Sequence, residues 1–174
     1  MVIYNNKSLY DSKVETKSNK HEKILFKYYS NVLDEITVER LWAEVVDKEN
    51  GVYKLDSIPF YGPFIATDDE FYAEFDEDEQ TLVYRRTIKY SGNSVVLVVI
   101  MQDGFDKEII RNQLKQLNCL SEGMNDSYFS VEILNDVNYA KIVEILDEYE
   151  EEGIIEYAEP CLSGKHQNDL IDGD

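Results

Sequence analysis

Histidine and cysteine are scarce in this 174-residue chain, which has two of each. Cys119 and Cys161 are separated by 41 intervening residues and form no C-x-x-C pair, so they read as reduced thiols and not as a zinc or redox motif. His21 and His166 both lie in polar stretches near the chain ends, where no rigid frame is expected to hold a general base or a metal ligand. Long apolar runs are missing too: nothing approaches the roughly 18 to 20 residues of a membrane span. The polar start of the chain has no h-region, so a cytoplasmic protein without a secretory signal is expected. Cations are outnumbered, with 17 Lys and Arg against 36 Asp and Glu, a formal charge of −19. That excess repels a phosphate backbone and argues against nucleic-acid binding. No P-loop, G-x-S-x-G, H-E-x-x-H or dinucleotide fingerprint occurs. No catalytic residue, cofactor or metal is therefore assigned.

What is present is material for a core. Hydrophobic residues make up 43% of the chain, and the 13 tyrosines help raise the aromatic share to 12%, which excludes intrinsic disorder. Residues 1–22 read as a flexible N-terminal arm and 163–174 as a disordered tail. Between them, 23–92 reads as an antiparallel β subdomain, a curled sheet or partial barrel. Lys23–Tyr29 is aromatic and β-branched. Glu39–Asp47 alternates Leu41, Ala43 and Val45 with polar neighbours. Helix propensity there is outweighed by Asn50-Gly51, a strong hairpin signal with Val52–Leu55 as the return strand. Ser57–Pro63 holds two of the three prolines and is a turn or rigid connector. Glu70–Phe75 and Thr81–Lys89 form the next strand pair.

Residues 93–162 change character. Ser94–Met101 is a continuous apolar run suited to a strand buried on both faces. Asp106–Leu117 has helical spacing, with Asp103 or Asp106 as its cap. Two strand-like stretches flank Asn125-Asp126. Asp136–Glu151 is a second amphipathic helix ending before Gly153, and Ile154–Ala158 is a last strand. The order β-α-β-β-α-β predicts a ferredoxin-like half with strand order 4-1-3-2. The fold class is thus α+β. This topology often carries RNA, but the apolar central strand and acidic flanks do not suit RNA.

The positive signal is clustered acid. Asp68, Asp69, Glu70, Glu74, Asp76, Glu77, Asp78 and Glu79 stand without a cation in their own segment. A second run spans Glu144–Glu159 and includes Glu148, Glu151 and Glu152. Asp76–Glu79 lacks the glycine and late glutamate of a calcium loop. Self-repulsion at this density destabilises a fold, so a surface complementary to a basic partner is expected. Tyr72, with Tyr61, Tyr84, Tyr149 and Tyr157, would supply rigid interface anchors.

The stretch Leu41-Trp42-Ala43-Glu44, then Tyr53-x-Leu55, then Ile58-Pro59-Phe60, resembles a bacterial family of domains of unknown function. Its pattern runs E-x-L-W-A-E, then Y-x-L-x-N-I-P-F, with Ser57 here in the asparagine position. The likeness extends from about Lys23 to Pro160. It implies a stand-alone domain of the accessory or immunity type and transfers no catalytic residue. Charge and resemblance together lead to one expectation: a non-enzymatic acidic immunity protein that occludes a cognate bacterial toxin domain, of nuclease type, by direct contact. The alternative is a small-molecule-sensing or regulatory domain without catalysis.

Overall fold

The computed structural model describes residues 20–30, 34–61 and 63–171. The arm assigned to residues 1–22 lies outside them, except for its last three residues. Two of those, His21 and Glu22, already belong to strand β1 (His21–Ser30). β1 pairs with β2 (Glu35–Asp47) over its full length, from His21 opposite Glu44 to Ser30 opposite Glu35. β2 alternates buried Thr37, Glu39, Leu41 and Ala43 with exposed neighbours, and begins four residues before the predicted start.

Asn50-Gly51 makes the turn into β3 (Val52–Leu55). Asp47 Oδ1 accepts the Asn50 amide at 3.1 Å, which closes the turn locally. Gly51 has φ +65°, and a Cβ there would stand 2.6 Å from the Ala73 carbonyl, so both backbone and space require glycine. β4 (Glu70–Asp76) and β5 (Thr81–Lys89) follow, and Leu25 opposite Val83 closes the five strands into a ring. The expected curled sheet is therefore a closed barrel. Its interior holds Ile24, Phe26, Leu41, Tyr53, Leu55 and Phe71, with Phe26 edge-on to Phe71 at 5.4 Å and stacked on Tyr84 at 4.8 Å.

The second half carries the predicted β-α-β-β-α-β order. β6 (Ser94–Ile100), α1 (Glu108–Gln116), β7 (Leu120–Asn125), β8 (Tyr128–Ile133), α2 (Tyr139–Glu151) and β9 (Ile155–Cys161) build one antiparallel sheet, ordered β7-β8-β6-β9. Read from the other edge, this is 4-1-3-2. The apolar β6 is interior, as its composition demands. Val96 and Val98 of β6 and Phe129 and Val131 of β8 share a core with Ile110, Leu114, Ile142 and Leu146 of the helices. The N-cap of α1 is Lys107, whose side chain makes no capping bond; of the two expected caps, Asp106 lies one residue earlier and accepts the Glu108 amide at 3.0 Å.

Both outer strands of this sheet are guarded. The Ser121 and Asn125 carbonyls of β7 are taken by Arg111 and Lys107. Pro160 in β9 has no N–H to offer.

The disordered tail is corrected: Gly164–Ile171 is a helix, α3. His166 is fully buried, and with Leu170 one turn on it packs toward the second core. Its Nε2 faces the Leu134 carbonyl at 3.1 Å, which only a donor satisfies. Burial favours the neutral ring, in which Nδ1 accepts the Ser94 hydroxyl at 2.6 Å while Ser94 Oγ in turn accepts the Ser163 amide. Asp169, paired with Lys165 at 2.7 Å, accepts the Tyr139 amide at 2.9 Å and so caps α2. A helix this short, with only two inward apolar or aromatic positions, has too little periodicity to be recognised from sequence.

Burial, with Lys165 nearby, holds the His166 imidazole below its ordinary pKa. Its contribution to stability is complete above the free-histidine value and is lost as pH falls toward the folded-state value. His166→Ala is expected to cost about 2–4 kcal/mol in urea unfolding at pH 8, through the cavity and the unpaired Ser94 hydroxyl. The cost should shrink on acidification, and a variant as stable as the parent at pH 8 would show that α3 is not part of the folded unit.

Candidate functional site

The first acidic cluster lies on the β4–β5 hairpin, where the structure revises its charge. β5 carries Arg85, Arg86 and Lys89, and antiparallel pairing sets them beside the β4 acids. Arg85 reaches Glu74 and Asp76, each at 2.8 Å. Lys89 meets Glu70 at 3.0 Å, and Lys27 of β1 meets Glu79 at 3.1 Å. The Arg85 guanidinium is the largest influence holding the Asp76 carboxyl below its usual range. Tyr72 donates its hydroxyl to Glu74 at 2.9 Å and takes Arg86 over its ring at 5.2 Å. Asp68 is exposed, with φ +65° and Lys54 at 3.9 Å. The segment lacks cations, but the surface does not; Glu77 and Asp78, at the hairpin tip, have no ion pair among the described residues.

Asp69 must leave the predicted surface, because it is 1% exposed. Its carboxylate accepts the Ala66 amide at 3.1 Å, the Ser91 amide at 2.6 Å and the Ser91 hydroxyl at 2.9 Å. Tyr84 also leaves the proposed anchors, since its ring stacks inside the barrel on Phe26.

The second cluster behaves differently. Glu144, Asp147, Glu148, Glu150, Glu151, Glu152, Glu156 and Glu159 make no ion pair among the described residues. Their bonds are to tyrosines: Tyr157 donates to Asp147 at 2.7 Å, and Tyr139 donates to Glu159. Burial and these carboxylates push both phenol pKa values upward. Glu148, Glu151 and Glu152 stand exposed at the C-terminal end of α2, whose last turn holds no basic residue. Carboxylates at that end meet the negative pole of the helix dipole, each at a cost of a few tenths of a kcal/mol.

Two buried carboxylates escaped sequence reading. Glu39 faces the barrel end and accepts the Phe60 amide at 2.8 Å and the Tyr61 amide and Tyr28 hydroxyl at 3.3 Å each. Its inward position was readable from the parity it shares with Leu41 and Ala43. Glu132 in β8 is 7% exposed and accepts the Thr67 hydroxyl. Burial is the main cause raising both carboxyl groups above their usual pKa.

Burial pushes the Cys119 and Cys161 thiols up to about 12, which disfavours the thiolate at both. Among the described residues, no three His, Cys, Asp or Glu side chains are placed to hold a metal ion. No helix there is long and apolar enough to cross a membrane.

A carboxyl whose folded pKa is raised stabilises the fold below its unfolded pKa, and that contribution is lost as pH rises through the folded value. Glu132→Gln, which keeps an acceptor for Thr67, is therefore expected to leave stability unchanged or raise it by about 1 kcal/mol at pH 7. The gain should vanish near pH 4 in parallel urea titrations. A large loss at pH 7 would mean that the ionised form is what the fold requires.

No curated protein matches the chain. A crystal structure of a hypothetical protein from Neisseria gonorrhoeae is similar over 82% of this chain and 95% of that one, with a TM-score of 0.71 and 25% identity. The family model for DUF4265, a domain of unknown function, matches residues 39–157, from the Glu39 clamp to Tyr157 beside the α2 acids. The chain belongs to the DUF4265 family.

Proposed function

We propose that this protein is a non-catalytic binding module that captures a basic protein domain, acting in bacteria as an immunity-type inhibitor that occludes a toxin domain of nuclease type. The observation that carries this reading is the α2–β9 surface, where eight carboxylates have no cationic partner among the described residues. Three of them stand at the helix end where they cost stability. A local arrangement that opposes folding and gains nothing within the chain is where function is expected. A cationic partner would relieve the repulsion, and the field would speed encounter. Glu148, Glu151, Glu152 and Tyr157 are the leading contact residues. The β4–β5 acids, offset by Arg85 and Lys89, take a secondary place. The alternative, a sensor of small molecules, would draw on the cleft lined by Leu55, Ile58, Leu120 and Glu132 between barrel and sheet.

Reversing charge at Glu151→Lys and Glu152→Lys sets the two roles against each other. Thermal unfolding of the free protein should be unchanged or raised slightly. Association with the toxin domain encoded immediately upstream should slow about tenfold or more and lose much of its salt dependence, read by stopped-flow binding. Neutralising Asp76, Glu77, Asp78 and Glu79 to the amides should have the smaller effect. Unchanged association in the α2 variant, or no basic partner encoded beside this gene, defeats the proposal.

A further inference from the structure

The outer face of β1 and β2 departs from the alternation expected of an antiparallel strand with one side in solvent. Leu41 and Ala43 of β2 fill the barrel, yet the opposite parity carries Ile36, Val38 and Trp42, where solvent selects polar side chains. Ile36 is 69% exposed and Val38 55%, with Trp42 and Tyr29 half exposed. The pairing register sets this face in four cross-strand rows: Tyr29 beside Ile36, Lys27 beside Val38, Leu25 beside Arg40 and Lys23 beside Trp42. Apolar side chains gathered in this way mark a contact surface.

Charge along the face says what fits it. At one end Lys20 and Lys23 make no ion pair among the described residues, and neither does Arg40 in the middle. Lys23 lies over the Trp42 ring at 4.8 Å. At the other end Asp34 and Glu35 are exposed and make no ion pair among the described residues, and Asp34 accepts the Tyr29 hydroxyl. Glu44 and Lys27 are already matched, by Lys54 and Glu79. A uniformly anionic partner, whether bilayer or nucleic acid, would meet Asp34 and Glu35; a uniformly cationic one would meet Lys23 and Arg40. The partner that fits is apolar in the middle and carries the two charges in reverse order. A second copy, turned about a two-fold axis running across the strands, presents that order.

We infer that the outer face of β1 and β2 is a self-association surface on which a second copy of this chain packs about a two-fold axis. The axis passes between the Lys27–Val38 and Leu25–Arg40 rows. Ile36 of each copy then packs on Trp42 of the other, and Val38 lies on the Arg40 stem. Lys23 meets the end that holds Tyr29, Asp34 and Glu35, and the two Arg40 side chains are staggered, not opposed. Four rows of two residues make a small contact, so dimerisation is weak, half complete near ~100 µM. The contact uses no residue of α2 or β9, so it stands apart from the proposed toxin surface.

Sedimentation equilibrium of the full chain from about 1 to about 500 µM tests the inference. A monomer that passes to a species of twice the chain mass, and to nothing larger, is expected. Ile36→Asn, at an exposed position outside the barrel interior, should weaken dimerisation about tenfold or more. Charge reversal checks the orientation. Glu35→Lys lowers the net negative charge, so overall repulsion alone would make the variant associate more tightly; the two-fold contact requires it to associate several-fold more weakly. Lys23→Glu should weaken association too, and the double variant should return to the parent affinity. Thermal unfolding at about 1 µM, where the chain is monomeric, should be unchanged in every variant. A monomer over the whole range, or a dimer that Ile36→Asn leaves intact, would overturn the inference. So would a monomer that binds phosphatidylglycerol vesicles or an oligonucleotide and loses that binding in Ile36→Asn, which would assign the face to an anionic surface instead.

Discussion

The structure depends on how the connector between β3 and β4 is held. Residues 56–61 and 63–68 run between the barrel and the sheet, and several of their backbone polar groups are bonded by side chains from both sides. Glu39 of the barrel takes the Phe60 and Tyr61 amides, while Ser130 and Tyr128 of the sheet donate to the Pro59 and Phe60 carbonyls. Asp69 takes the Ala66 amide, and Asn93 and Ser91 both donate to the Thr67 carbonyl. Ile58 and Ala66 pack on Val95 and Leu97 of β6. Buried backbone groups must find partners, and here the partners come from both halves, so barrel and sheet are joined through one strip of chain. Covering the sheet face with protein also removes it as an open platform for a ligand.

Most of the fold was legible because it follows from periodicity and turn chemistry. Alternation in Glu39–Asp47, the Asn50-Gly51 turn and the apolar run of β6 each speak for themselves locally. The expected strand order came from the β-α-β-β-α-β element order, and the apolar run Ser94–Met101 agrees with it by demanding an interior place in the sheet. Barrel closure was less visible, since a single parallel contact between β1 and β5 leaves no local mark. α3 was missed because a buried histidine bonded to Ser94 resembles, in sequence, any polar tail.

The surface was legible only in part. Acid runs are written along the chain, but neutralisation happens across strands: Arg85 follows Asp76 by nine residues and lies against it in space. A linear count therefore overstated the β4 cluster and understated α2, where no facing strand supplies cations. The buried acids were hidden for the opposite reason. Glu39 and Glu132 look like surface charge until the parity of their strands is followed inward, and Asp69 reads as one acid among many although it ties Ser91 to the connector.

The protected margins of the second sheet bear on how this molecule meets others. With Arg111 and Lys107 seated on β7 carbonyls and a proline in β9, each border is a poorer template for a neighbouring chain than a fully open strand edge. Recognition is thereby left mainly to side chains. It also gives a chain of high anionic charge a second safeguard against fibrillar self-association, acting through geometry where charge acts through repulsion.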